Sequence, residues 1–238
     1  MKKKTKKQLK FGLIGRNISY SFSKKYFNEK FEIGHFDNCE YKNYDIESIK
    51  EFPKVITEIK GLRGLNVTIP YKEEIIPYLD KLSKTAKKIG AVNCVTISKK
   101  KKLKGYNTDY HGFKKSIKPL LKDHHKKALI LRSLKIEYDF VSRTADEFQF
   151  KYEELDAAIF EEYTIIINTT PVGTHPNVED FPNLDYSLFT KKHIAYDLIY
   201  NPEETAFLRK AKAQGAVTKN GYEMLVLQAE KAWKIWNE

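Results

Sequence analysis

An amide, a hydroxyl and an ammonium fall close together in Gly64-Leu-Asn-Val-Thr-Ile-Pro-Tyr-Lys72. Side chains alternate along a strand, so Asn66 and Thr68 share one face. Pro70 stops the strand, and Lys72 is expected to open the next helix. Three polar groups thus gather at one strand end, which is where open α/β sheets bind their ligands.

Three further segments carry similar chemistry. Gly90-Ala-Val-Asn-Cys-Val95 sets Asn93 in an apolar strand, where a buried amide needs partners. Gly105-Tyr-Asn-Thr-Asp109-Tyr-His-Gly112 brings an amide, a hydroxyl and a carboxylate just after a strand. Ser19-Tyr-Ser21-Phe-Ser23 offers hydroxyls before a helix, whose first N–H groups also favour anions. Each has a plainer reading: capping serines, an Asn-Thr-Asp turn, a satisfied core amide.

The elements that must position these groups alternate between strand and helix. Strands are expected at Phe11–Ile14, Gly64–Ile69, Ala91–Ile97 and Leu103–Tyr106, the last two forming a hairpin with a lysine-rich tip. Helices are expected at Ser23–Glu32, at Glu73–Lys88 with a break at Pro77, and from His111 until Pro119. A second set of strands is expected at Ala128–Leu131, Asp139–Val141, Thr164–Ile167, Ile194–Leu198 and from Ala216. Helices in this part are Tyr152–Phe160, Glu203–Gln214 and an amphipathic Gly221–Trp236. The alternation predicts an α/β fold with parallel strands.

Taken together and in this order, these segments resemble the shikimate dehydrogenase family. The likeness runs from Phe11 to Trp236, and Asn-Val-Thr-x-Pro-x-Lys followed by Ala-Val-Asn and Asn-Thr-Asp is highly specific. Ile167-Asn-Thr-Thr-Pro-Val-Gly173, Tyr196-Asp-Leu-Ile-Tyr200 and Gly221-Tyr-Glu-Met-Leu-Val-Leu-Gln228 agree with it. The resemblance implies an N-terminal α/β substrate domain, residues 1–108 joined by the C-terminal helix 221–238. A Rossmann-like NADP-binding domain with a parallel sheet, residues 109–220, would face it across a cleft. Lys72 and Asp109 would be the catalytic pair. Ser21 and Ser23, with Tyr200, would hold the substrate carboxylate, and Asn66, Thr68, Asn93 and Gln228 the ring hydroxyls. Ser142, Arg143, Thr144, Asn168, Thr170, Leu198 and Gly221 would bind the cofactor. Where the family's usual pattern reads His-Ser-x-Ser-Pro, this sequence has Tyr20-Ser-Phe-Ser-Lys24.

The implied reaction is the reversible, NADPH-dependent reduction of 3-dehydroshikimate to shikimate, with quinate as a possible second substrate of a sister enzyme. Hydride addition to a ketone builds negative charge on oxygen, and a compact ammonium such as Lys72 both stabilises that charge and donates a proton. In reverse, a neutral lysine would take the hydroxyl proton. A neighbouring Asp109 carboxylate would hold the lysine's rotamer and favour its charge. Arg143 follows the strand position where a basic residue suits the 2′-phosphate of NADP.

One stretch departs from the Rossmann plan. No glycine occurs between Gly112 and Gly173, although a glycine-rich turn normally follows the first strand. Only seven residues separate Leu131 from Asp139, and a parallel crossover needs about a dozen or more. Either these stretches are not parallel neighbours or part of a crossover helix is absent before Arg132-Ser-Leu-Lys-Ile136. A true deletion would favour a degenerate homologue that binds substrate alone.

Composition bounds the remaining options. The 238 residues are 41% hydrophobic and 13% aromatic, a globular composition. No apolar run approaches a membrane span. Cys39 and Cys94 form no disulfide framework or metal spacing, which points to a reducing, cytoplasmic setting. The formal charge of +12 is concentrated in lysine runs, read as solvated surface. Nothing resembles a nucleic-acid-binding motif. The expected partner is a small-molecule substrate, with no nucleic acid, no membrane and no metal, and the expected state is monomer or homodimer.

Overall fold

The computed structural model describes residues 7–19, 21–131, 150 and 152–238. It falls into two compact units, residues 1–112 with 227–238, and residues 113–226.

In the first unit, apolar β1 (Leu9–Gly15) leads to α1 (Phe22–Ile33), then β2 (Cys39–Asp45), α2 (Phe52–Glu58) and β3 (Leu62–Val67). A two-residue β4 (Lys81–Leu82), α3 (Lys84–Ile89), β5 (Cys94–Ile97), β6 (Leu103–Tyr106) and α4 (Asp109–Ile117) follow, and α4 belongs to the second unit from Phe113 on. The sheet order is β2-β1-β3-β5-β6-β4. β1 runs parallel to β2 and β3, while β5 is antiparallel to both β3 and β6. This sheet is therefore mixed, and the expected lysine-tipped hairpin is its antiparallel part.

Two apolar clusters form the core of this unit. Ile14, Leu65, Val67 and Val95 belong to one. Phe11, Phe27, Phe31, Tyr41 and Trp236 belong to the other. Phe27 and Phe31, four apart on α1, are its buried residues. Ser21 caps α1 by accepting the Lys24 N–H.

The second unit carries β7 (Ala128–Leu131), α5 (Ala157–Glu162), β8 (Ile165–Asn168), β9 (Ile194–Asp197), α6 (Ala206–Ala213) and β10 (Val217–Lys219). Among the described residues its sheet has the order β10-β9-β8-β7, and every pair is parallel. Ile166, Ala195 and Phe207 belong to one apolar cluster of this unit, and Ile165, Ile167 and Tyr196 to a second. The last helix, α7 (Tyr222–Asn237), starts in the second unit, and from Leu227 it belongs to the first. There Trp236 bonds the Val95 carbonyl at 3.1 Å. A Cβ on Gly64 would lie 2.3 Å from the Trp236 ring, so glycine is what lets α7 approach β3 so closely.

Several expectations change. The helical stretch over Glu73–Lys88, expected to break at Pro77, is instead a series of turns, a 3-10 turn at Ile76–Tyr78 that contains Pro77, β4 and α3. Asp80 draws the chain to the sheet: its N–H bonds the Leu103 carbonyl, and its carboxylate accepts the Leu103 N–H at 2.8 Å. Lys72 therefore sits in a turn and opens no helix. Tyr152–Phe160 divides into a 3-10 turn, Tyr152–Glu154, and α5, because Asp156 caps a new start by accepting the Ile159 N–H. The expected strand at Asp139–Val141 lies outside the described residues.

Candidate active site

Lys72 and Asp109 meet. Nζ of Lys72 donates to Oδ2 of Asp109 at 2.7 Å, and both side chains keep roughly a quarter of their surface open to solvent (26% and 28%). The backbone sets both. The Lys72 carbonyl accepts the Val92 N–H at 2.7 Å. Asp109 is the first residue of α4, where a carboxylate complements the helix dipole. Asn107 fixes this corner: its Oδ1 accepts the Tyr110 N–H, and its Nδ2 donates to the Ala91 carbonyl.

Beside this pair lies a buried polar network. Asn93 Oδ1 accepts the Thr108 N–H at 2.6 Å. Its Nδ2 therefore faces the other way, donating to Thr108 Oγ1 at 3.0 Å and to Gln228 Oε1 at 3.5 Å. Thr108 Oγ1 also reaches Gln228 Oε1 at 3.3 Å. Asn93, Thr108 and Gln228 are all buried. The Gln228 carbonyl is thus held inside the network, and its amide N–H groups are the part left to meet a ligand. Asn93 spends both ends within the network.

Asn66 is buried at the end of β3. It donates to the Asn93 carbonyl at 3.3 Å and accepts from the Tyr41 hydroxyl at 2.8 Å. Thr68, half-buried, follows β3, and its N–H bonds the Ile14 carbonyl. Ser21 and Ser23 lie at the start of α1. Ser21 uses an oxygen lone pair as the cap, so that bond does not consume its O–H, and Ser23 is half-buried. Burial pushes the Tyr41 phenol well above its ordinary range, so it stays protonated as a donor.

Sequence reasoning singled out neither Thr108 as a hub nor Tyr41. Thr108 lies in the Asn-Thr-Asp turn, and its contacts were the missing signal. Tyr41 lies on a strand that no apolar alternation marks.

In the second unit the strand ends of the parallel sheet are in register: Leu131 pairs with Asn168, and Asn168 with Asp197. Asn168 is fully buried and spends its amide locally. Its Oδ1 accepts from the N–H and hydroxyl of Thr170, and its Nδ2 donates to Asp197 at 3.1 Å. Asp197 also accepts from the Ile199 N–H and the Thr205 hydroxyl. Burial raises its pKa despite these bonds. The Leu198 N–H bonds the Asn168 carbonyl. A Cβ on Gly221 would lie 2.1 Å from the Leu198 carbonyl oxygen, so the glycine lets the start of α7 rest against the end of β9. Tyr200, 38% exposed, follows in this unit.

Dinucleotides bind at such strand ends. Asn168, Thr170, Leu198 and Gly221, all expected at the cofactor, lie together at these strand ends, and their close packing fits a dinucleotide there. Ser142, Arg143 and Thr144, expected at the adenosine phosphate, lie outside the described residues, as does the stretch that follows Leu131. Among the described residues no group of three or more His, Cys, Asp or Glu side chains could hold a metal ion. No helix among them is long and apolar enough to cross a membrane.

Known proteins are similar to this chain in sequence and fold. The family described as the shikimate dehydrogenase substrate binding domain matches residues 13–95. A shikimate dehydrogenase (NADP(+)) of Clostridium beijerinckii is 37% identical over 255 residues, covering 96% of this chain and 92% of the relative. That alignment is longer than the 238 residues of this chain, so the relative has residues with no counterpart here. Among solved structures, the shikimate 5-dehydrogenase of Listeria monocytogenes, in complex with shikimate and NAD, superposes with a TM-score of 0.82. It is 28% identical, and the match covers 97% of this chain and 92% of that one. The Thermus thermophilus shikimate 5-dehydrogenase, in complex with NADP(H) and shikimate, gives 0.73 at 28% identity over 96% and 93%. Agreement of this kind, in sequence and fold over nearly the full length of both partners, means that the chain belongs to the shikimate dehydrogenase family.

Proposed function

We propose that this protein catalyses the reversible, NADPH-dependent reduction of 3-dehydroshikimate to shikimate, an oxidoreductase step of aromatic amino acid biosynthesis. The observation that carries the reading is the 2.7 Å contact of Lys72 with Asp109, beside amide groups fixed by their own hydrogen bonds. The naming of the relatives as NADP(+) enzymes supports the cofactor.

The nicotinamide supplies the hydride; the chain supplies binding, orientation and the proton. Leu198 and Gly221, steadied by Asn168 and Thr170, would hold its nicotinamide end, and Ser142, Arg143 and Thr144 its 2′-phosphate end. Lys72 has three N–H donors and gives one to Asp109. The other two remain for the substrate oxygen on which charge develops, and one of those protons is delivered to it. Asp109 holds the ammonium in that orientation. Asn66, Thr68 and Gln228 would bond the ring hydroxyls, with Asn93 holding its neighbours in place. Ser21, Ser23 and Tyr200 would bond the carboxylate. A site that bonds each hydroxyl rejects analogues lacking one, because its own buried groups are then left unpaired.

Assignment of residues 1–108 with 221–238 to substrate and 109–220 to cofactor belongs to this proposal, as does a cytoplasmic location. The test is absorbance at the reduced-nicotinamide band with shikimate and NADP, then with NAD, then with quinate in place of shikimate. Reduction of NADP by shikimate is expected. Faster turnover of quinate would make the protein a quinate enzyme. Shikimate binding with no reduction of either nucleotide would mark it as a substrate-binding homologue without catalysis.

A further inference from the structure

Asn66 poses a question of direction. A side-chain amide offers a ligand either a donor or an acceptor, and which one depends on how its other contacts turn it. Here the answer follows from a backbone atom. The Asn93 carbonyl oxygen can only accept. It takes the Val67 N–H at 2.9 Å and the Asn66 Nδ2 at 3.3 Å. Nδ2 of Asn66 therefore faces Asn93, and Oδ1 faces the other way, where the Tyr41 hydroxyl lies 2.8 Å from it.

The phenol is bound to donate. Oδ1 of an amide cannot give a proton, so the hydrogen of this contact belongs to the Tyr41 hydroxyl. Tyr41 has little freedom to do otherwise. It is 1% exposed, and its ring stacks on Phe27 with centroids 4.7 Å apart and planes 13° from parallel. Its strand is held by β1, with Tyr41 opposite Phe11. The second N–H of Asn66 Nδ2 has no protein partner among the described residues.

We infer that Tyr41 is a positioning residue for substrate: its hydroxyl locks the Asn66 carbonyl so that Asn66 meets the ligand as a hydrogen-bond donor. This rests on the proposed function, and it gives Asn66 a chemical sense that residue type alone leaves open. The group it serves is an oxygen acting as acceptor, such as a ring hydroxyl or carbonyl of the substrate. Gln228 is turned the same way by Asn93 and Thr108. Two amides and an ammonium would then all offer protons, which suits an oxygen-rich ligand.

The test is Tyr41→Phe, which keeps the stacked ring and removes only the hydroxyl. Shikimate KM is expected to rise roughly tenfold, the scale of one buried neutral hydrogen bond, with kcat within about threefold and NADP KM unmoved. A role confined to folding would lower the melting temperature without that split. In an Asn66→Ala background the further effect of Tyr41→Phe on shikimate KM should fall below about twofold, because the residue it acts through is gone. Asn66→Asp adds an independent check, since it still accepts from Tyr41 but has no N–H to give; its shikimate KM must rise even if Tyr41→Phe fails to fold. An unchanged KM in Tyr41→Phe or in Asn66→Asp overturns the inference, and so does a Tyr41→Phe penalty that persists undiminished beside Asn66→Ala. Wild-type protein is assayed first: inactivity toward shikimate overturns the proposed function as well, whereas wild-type activity with an insensitive Tyr41 variant overturns this inference alone.

Discussion

The ammonium of Lys72 lies 2.7 Å from the Asp109 carboxylate, across 37 positions of sequence, with both side chains partly open to solvent. An ion pair in that setting contributes little to stability. A lysine that leaves two donors for a ligand is better explained by chemistry. Lys72→Ala is expected to lower kcat by about 10²–10⁴-fold, the usual worth of a positioned proton donor, while shikimate affinity changes far less. Asp109→Asn should move in the same direction. Steady-state kinetics decide the matter, and near-normal turnover in Lys72→Ala would remove it from the mechanism.

Cofactor choice should depend on Arg143. Only NADP carries a 2′-phosphate, so Arg143→Ala is expected to weaken NADP roughly tenfold relative to NAD, the cost of one charge-assisted contact. Titration of each nucleotide by calorimetry measures both constants. Equal losses for the two would show that another residue reads the phosphate.

Asp197 predicts a pH dependence. Burial is the largest influence on its carboxyl and raises its pKa above the ordinary 3.8, outweighing the bonds from Thr205, Ile199 and Asn168. A carboxyl raised in the folded state lends stability that is fully present below its unfolded pKa and is lost as pH rises through its folded value. Asp197→Asn has no such titration. The difference in urea unfolding free energy between the two proteins should therefore shift in favour of the variant as pH climbs past about 3.8, then level off. A difference that stays flat through this window would contradict the shift.

Gly64→Ala should destabilise the first unit. The new methyl would meet the Trp236 ring at 2.3 Å, and that indole is buried and bonded to the Val95 carbonyl. Overpacking of this kind costs about 1–3 kcal/mol. Urea denaturation followed by tryptophan fluorescence reads it, and a midpoint equal to wild type would mean that the helix yields freely.

Much of the fold could be read from apolar runs. β5, β7, β8 and β9 are short and mostly apolar, and β1 and β3 carry apolar residues along most of their length. β2 does not. Its sequence, Cys39-Glu-Tyr-Lys-Asn-Tyr-Asp45, buries only Tyr41, because an edge strand has one sheet neighbour and an open flank. Composition suggested a helix over Glu73–Lys88, but tertiary bonds from Asp80 prevailed over it. In the candidate site, the residue types were legible and their directions were not. That Asn66 and Gln228 turn their carbonyls inward depends on the Asn93 carbonyl and the Thr108 N–H, backbone groups whose placement no spacing reveals.

The return of α7 also sets an order on the ribosome. Residues 227–238 belong to the first unit and cover its sheet at Gly64 and Val95. Residues 1–112 therefore emerge long before the helix that completes them, and they wait with Phe11 and Phe27 uncovered by Trp236 while the whole second unit is translated. The second unit has all its residues in one run and is under no such delay. During synthesis the nascent chain would thus be most exposed to chaperones and proteases at its oldest part, and a stop codon close to the end would cripple the half made first.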